Sequence, residues 1–135
     1  MKYYLWLLAA ALVLVGNGCK SSSPAPYSIE FCTSLGENDE CMGKNDHFPP
    51  ATRVFVKCVA LEPFPYDYIT GSIYEIRDGQ KTGLIAQQSF PLKVQDTHVS
   101  YFLPFDDYNG KGEFLIEFAK PNTEVLVASH IYLEE

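Results

Sequence analysis

The sequence predicts an all-β domain, and three observations predict it. Beyond Pro26, apolar residues recur at every second position in seven segments. Clusters of Gly, Pro, Asn and Asp separate those segments. No segment sustains a helical period.

Tyr27, Ile29 and Phe31 share one face of a first strand. A long polar loop rich in Gly, Asn and Asp follows, from Thr33 to Pro50. The second strand, Arg53 to Leu61, sets Val54, Val56, Cys58 and Ala60 on one side. The segment Glu62-Pro-Phe-Pro-Tyr-Asp-Tyr68 cannot sit inside a sheet, because proline has no N–H for the ladder, and it reads as a connection. Ile69–Arg77 and Thr82–Phe90 form a predicted hairpin with Asp78-Gly79 at its turn. A fifth strand, Thr97 to Leu103, alternates Val99, Tyr101 and Leu103, and Pro104 ends it. After the turn Asp106–Gly112, a sixth strand sets Phe114, Ile116 and Phe118 against Glu113, Leu115 and Glu117. Lys120-Pro-Asn-Thr123 makes the last turn, and Glu124 to Leu133 is the closing strand.

Seven strands with regularly spaced turns predict an antiparallel immunoglobulin-like β-sandwich, with a small closed β-barrel as the alternative. The closing hairpin, Gly112–Phe118 followed by Val125–Ile131, resembles the last two strands of many small exported bacterial domains. That resemblance covers about a quarter of the chain and carries no functional motif.

The chain opens differently. Met1-Lys2 precedes an apolar run of eleven residues, Leu5 to Val15, within the roughly 7–15 of an export signal. As a helix the run rises about 16 Å, against a hydrocarbon core of about 30 Å, so it is too short for a spanning anchor. Gly16-Asn17-Gly18 then leads to Cys19 and the polar stretch Lys20-Ser-Ser-Ser-Pro-Ala-Pro26. This arrangement resembles a bacterial lipoprotein precursor, which is cut before a cysteine that carries the lipid. Gly16 stands at the −3 position where such signals prefer Leu, and Val15 is one place too early. The rival is an ordinary signal peptide, but its best later site, Ser23-Pro24-Ala25, is followed by Pro26. The resemblance implies a signal peptide over 1–18, lipid on Cys19 with a tether over 19–26, and a β-sandwich over 27–135. It also implies a place in the cell envelope, and Lys20 after the cysteine favours the outer membrane. Two or three acyl chains, at about 0.8 kcal/mol per buried CH₂, would make the attachment effectively permanent.

Removal of residues 1–18 leaves 117 of the 135 residues and takes Lys2 with it, so the formal charge moves from −7 to −8. An acidic domain without a basic run repels nucleic acid, which is not an expected partner. Trp6 is the only tryptophan and would leave with the signal.

Cys32, Cys41 and Cys58 remain after Cys19. In an oxidising compartment three cysteines suggest one disulfide and one spare thiol. Cys32–Cys41 is the expected bridge, with Cys32–Cys58 its competitor. Cys58 shares the inward phase of its strand and suits a small core position. A three-thiolate metal site lacks the paired spacing that such sites use.

No catalytic motif emerges. His47, His98 and His130 form no close pair, no serine sits in a G-x-S-x-G elbow, and Asn109-Gly110-Lys111-Gly112 has turn chemistry without P-loop spacing. Glu37, Asp39, Glu40 and Asp46 cluster in one loop, with Asp106, Asp107 and Asn109 in another. Oxygen ligands suit calcium, but neither run follows the D-x-[DN]-x-[DN]-G template. No cofactor or metal is expected. Aromatic residues outside the core phase are the better functional signal. Phe64, Tyr66 and Tyr68 lie on a proline-stiffened connection, and Phe102, Phe105 and Tyr108 run into another. These six are the candidate binding surface, on the ground that aromatics on rigid loops make good contacts. The alternative is that they close the ends of the sandwich. The expected role is a non-catalytic binding or structural module that meets another envelope or extracellular macromolecule. The rival role is an enzyme accessory or inhibitor subunit, or a hydrolase whose site assembles from distant residues.

Overall fold

In Val54-Phe-Val-Lys-Cys-Val-Ala60 the period of two dictates which side chains face the core, and burial follows it residue by residue. The computed structural model of the chain describes residues 24–105 and 110–134. The expected signal segment, Cys19 and residues 20–23 of the expected tether lie outside the described residues, as do Asp106, Asp107, Tyr108 and Asn109. In chain order the strands are β1 (Tyr27–Cys32), β2 (Ser34–Leu35), β3 (Cys41–Met42), β4 (His47–Phe48) and β5 (Val54–Ala60). They continue as β6 (Tyr68–Arg77), β7 (Gln80–Pro91), β8 (His98–Leu103), β9 (Gly112–Ala119) and β10 (Val125–Leu133).

One sheet has the order β1-β5-β8 and the other β4-β10-β9-β6-β7. All pairings among the seven long strands are antiparallel. Neither sheet closes into a barrel, and the chain crosses from one to the other between β1 and β4 and again after β4, β5, β7 and β8. This Greek-key path makes an immunoglobulin-like β-sandwich in which the fourth long strand, β7, pairs with β6 at the edge of the larger sheet.

The hairpin turn is where it was predicted. Arg77 pairs with Gln80, and Asp78 (φ 52°) and Gly79 (φ 76°) occupy the two positions between them. A two-residue connection with both φ values positive matches the right-handed twist of the flanking strands. β10 is less regular than its sequence suggests, since its register against β9 shifts between Val125 and Val127.

The 33–50 segment departs from the expected open loop. It contains the antiparallel pair β2–β3, a one-turn 3₁₀ segment at Glu37–Asp39, and β4, which runs parallel to the end of β10. The Cys32–Cys41 disulfide closes its first part, as expected, and Cys58 stays a free, buried thiol. Asp39 holds the segment over the outer face of the smaller sheet, accepting from Lys57 Nζ at its carbonyl (2.8 Å) and meeting His98 at its carboxylate (3.1 Å).

The core lies between the sheets. Phe114, Ile116 and Phe118 of β9 meet Ile69 and Ile73 of β6, Val54 and Val56 of β5, and Ile131 and Leu133 of β10. Gly71 belongs to this layer, where an added side chain would press on three rings. A Cβ there would stand 3.1 Å from both the Phe90 ring and the Tyr101 hydroxyl, and 3.2 Å from Phe118.

Candidate functional site

The five described aromatic candidates do not form one surface. Phe64 is 4% exposed and Phe105 1% exposed, so both are core residues and leave the candidate set. Their burial has a simple cause. Each lies just past a strand end, where a large ring caps the open end of the sandwich: Phe64 stacks on Tyr27 at 5.8 Å and Phe105 packs on Phe114 at 4.9 Å. Tyr66 is half-buried against the same core and hydrogen-bonds Tyr27. Burial, and then the Tyr66 bond, push the Tyr27 hydroxyl above its usual range. Tyr68 is exposed on the outer face of the larger sheet, beside a shallow trough floored by Thr70, Ser72 and Ser89. Tyr108 lies outside the described residues.

Phe102 is the most exposed of the described candidates, at 47% against 39% for Tyr68. The register of β5 against β8 sets it directly opposite Phe55, and the two rings meet at 4.1 Å. Arg53 places its guanidinium 3.9 Å from the centre of the Phe102 ring and 6.0 Å from that of Phe55. Sequence reading singled out Phe102 but passed over Arg53 and Phe55. The available signal was the spacing: Arg53 and Phe55 share the outward phase of β5, as Phe102 does on β8.

This stack borders two hollows beside the free edge of β8, which share Gln88, Tyr101 and Phe102 in their walls. Leu35, Phe55 and Ser100 complete the first. The second, a cleft of about 160 Å³, lies among Gly71, Ala86, Gln88, Tyr101 and Pro104. The Tyr101 hydroxyl is buried there without a hydrogen-bond partner among the described residues. Desolvation raises its pKa, so it is a neutral donor at any physiological pH. A buried hydroxyl left unpaired costs about 1–3 kcal/mol.

The histidines pair with carboxylates at separate places. His98 meets Asp39, His130 meets Glu113 at 2.7 Å, and His47 lies between Asp46 at 2.7 Å and Glu134 at 3.1 Å while stacking on Tyr132. Cys58 is fully buried, and desolvation pushes its thiol up to about 12, which leaves it without nucleophilic thiolate near neutrality. The acids of the first loop do not converge on one point: Asp39 turns to His98 and Asp46 to His47. Among the described residues no group of three His, Cys, Asp or Glu side chains is placed to hold a metal ion. No described helix is long and apolar enough to cross a membrane.

No family model matches the chain, and none of the curated proteins matches it significantly.

Proposed function

We propose that this chain is a non-catalytic recognition module, held at the cell envelope by lipid on Cys19, that meets a macromolecular partner through the Phe102 patch. The observation that carries the reading is the stack itself. A lone exposed Phe needs no explanation. Phe102 is different because Phe55 supports one side of it and Arg53 covers it, so a large apolar surface and a cation are held ready together. Aromatic residues and arginine dominate binding energetics at interfaces, and a side chain already fixed by its neighbours loses little entropy on contact. The adjoining cleft adds the exposed amide of Gln88.

The anchor rests on the N-terminal sequence pattern alone. Cys19→Ala is expected to move the protein from the membrane fraction to the soluble one, and an unchanged partition would remove the anchor from the account. For the patch, an envelope extract is passed over immobilised full-length chain. A species retained by wild type and by Val94→Ala, which alters an exposed residue away from the patch, is expected to fall at least about tenfold with Phe102→Ala, the loss of one interface anchor. Equal retention by all three chains would discard the patch.

A further inference from the structure

β7 runs for twelve residues along the edge of the larger sheet, bonded on one side to β6 and on the other to no described strand. Proteins usually blunt such an edge with charge, bulges or a covering segment. The first half of β7 carries those devices. Lys81 is charged, and Thr82 and Ile85 have no register partner on β6, so the strand bulges twice. From Ala86 to Phe90 the devices stop. The pairing runs without a slip from Ile73↔Ala86 to Ile69↔Phe90, and Gln87, Gln88 and Ser89 are exposed. From Thr82 to Pro91 there is no ionisable side chain, in a sequence that is one-fifth charged with a net charge of −7.

We infer that this edge is a homodimer interface, in which the β7 strands of two copies pair antiparallel about a twofold axis at Gln88. A second copy is the occupant that the charge pattern favours. A twofold contact is self-complementary, so a charged edge would set like charge against like. With the axis at Gln88, that residue faces itself, Gln87 faces Ser89, Ala86 faces Phe90 and Ile85 faces Pro91. No charges meet. Two acidic molecules repel over most of their surface, and a neutral stretch is where they approach at least cost. The free edges of β1 and β8 carry Glu30 and His98 and the short β4 carries His47, so none offers as long a neutral run.

The axis stands perpendicular to the sheet, because only that rotation reverses the strand and keeps its faces. Gln88, which lines the cleft between the sheets, therefore meets its copy on the same side, and Ala86 meets the copy's Phe90. The second copy thus adds its own Gln88 beside the cleft. The dimer itself does not depend on that cleft having a ligand.

Gln88→Cys in the full chain tests the pairing. Directly opposed residues of antiparallel strands have Cα atoms about 4.5–5.5 Å apart, within the roughly 4.4–6.8 Å of a disulfide. Cells that express the variant are quenched with an alkylating agent and run on a non-reducing gel. A band at twice the monomer mass is expected for Gln88→Cys and not for Val94→Cys, which is also exposed but off the edge. Gln88→Lys opposes two ammonium groups and is expected to weaken dimerisation at least about tenfold in sedimentation, with an unchanged far-UV spectrum. Wild type that sediments as a monomer at every concentration would overturn the inference. So would a Gln88→Cys chain that cross-links no more than Val94→Cys, or a dimer that Gln88→Lys leaves intact.

Discussion

Cys58 and Tyr101 are the residues whose chemistry the fold changes most. The Cys58 thiol moves from a usual value of 9.0 to about 12 through desolvation alone. Its folded form thus holds a proton that the unfolded chain releases near pH 9, and between these two values the native state binds more protons than the unfolded one. Stability is fully present below about pH 9 and declines as pH rises towards 12. Urea melts from pH 8 to 11 are expected to show that decline, shallower in Cys58→Ala, and an iodoacetamide label is expected on Cys58 only after unfolding. Labelling of the native protein near neutral pH would contradict the burial. The inward place of Cys58 was legible, because it shares its phase with Val54 and Val56. The exposure of single aromatics was not. Phe64, Phe102 and Phe105 all lie within two residues of a proline, yet only Phe102 of the three faces outward. It lies within β8, where the pleat sets its direction, whereas the other two follow strand ends and fold over the core. Alternation speaks for residues inside strands and is silent beyond them.

At the scale of elements, the seven long strands and the Asp78-Gly79 turn could be read from period and turn chemistry. The inner structure of 33–50 could not. Strands of two residues are too short to show a period, and those here are fixed by long-range partners: the Cys32–Cys41 bond, the Asp39–His98 pair and the pairing of His47-Phe48 with Tyr132-Leu133. The bridge encloses a short loop, and replacing both cysteines with serine is expected to lower the unfolding free energy by about 2–3 kcal/mol in denaturant titration. The turn should respond to Gly79→Ala. At φ 76° an L side chain meets strain that glycine avoids, so a loss of about 1–2 kcal/mol is expected, although nothing stands within 4 Å of the added Cβ. A loss as large in Gly83→Ala, a position equally open but without a positive φ, would mean that the backbone is not the cause.

At the scale of the molecule, the sandwich places its interior and the proposed contact surface on the same strands. β5 sends Val54, Val56, Cys58 and Ala60 inward, while Arg53 and Phe55 face out under Phe102. Removing an interior ring is a test of fold. Phe118→Ala is expected to cost about 3–5 kcal/mol, read as a lowered denaturation midpoint, since Phe118 is fully buried against Phe90 and Tyr101. Removing Phe102 is a test of recognition, with little expected change in that midpoint. The N-terminal pattern adds a check on processing: loss of residues 1–18 removes Trp6, so the intact mass of the cell-associated protein is expected to lack that segment.

The recognition claim is tested most directly by a photo-cross-linking amino acid placed at position 102 in the full chain within intact cells, with Val94 as the control position. A discrete cross-linked partner is expected from position 102 and not from position 94. Cross-linking at the two positions that is equal, or absent from both, would contradict the account.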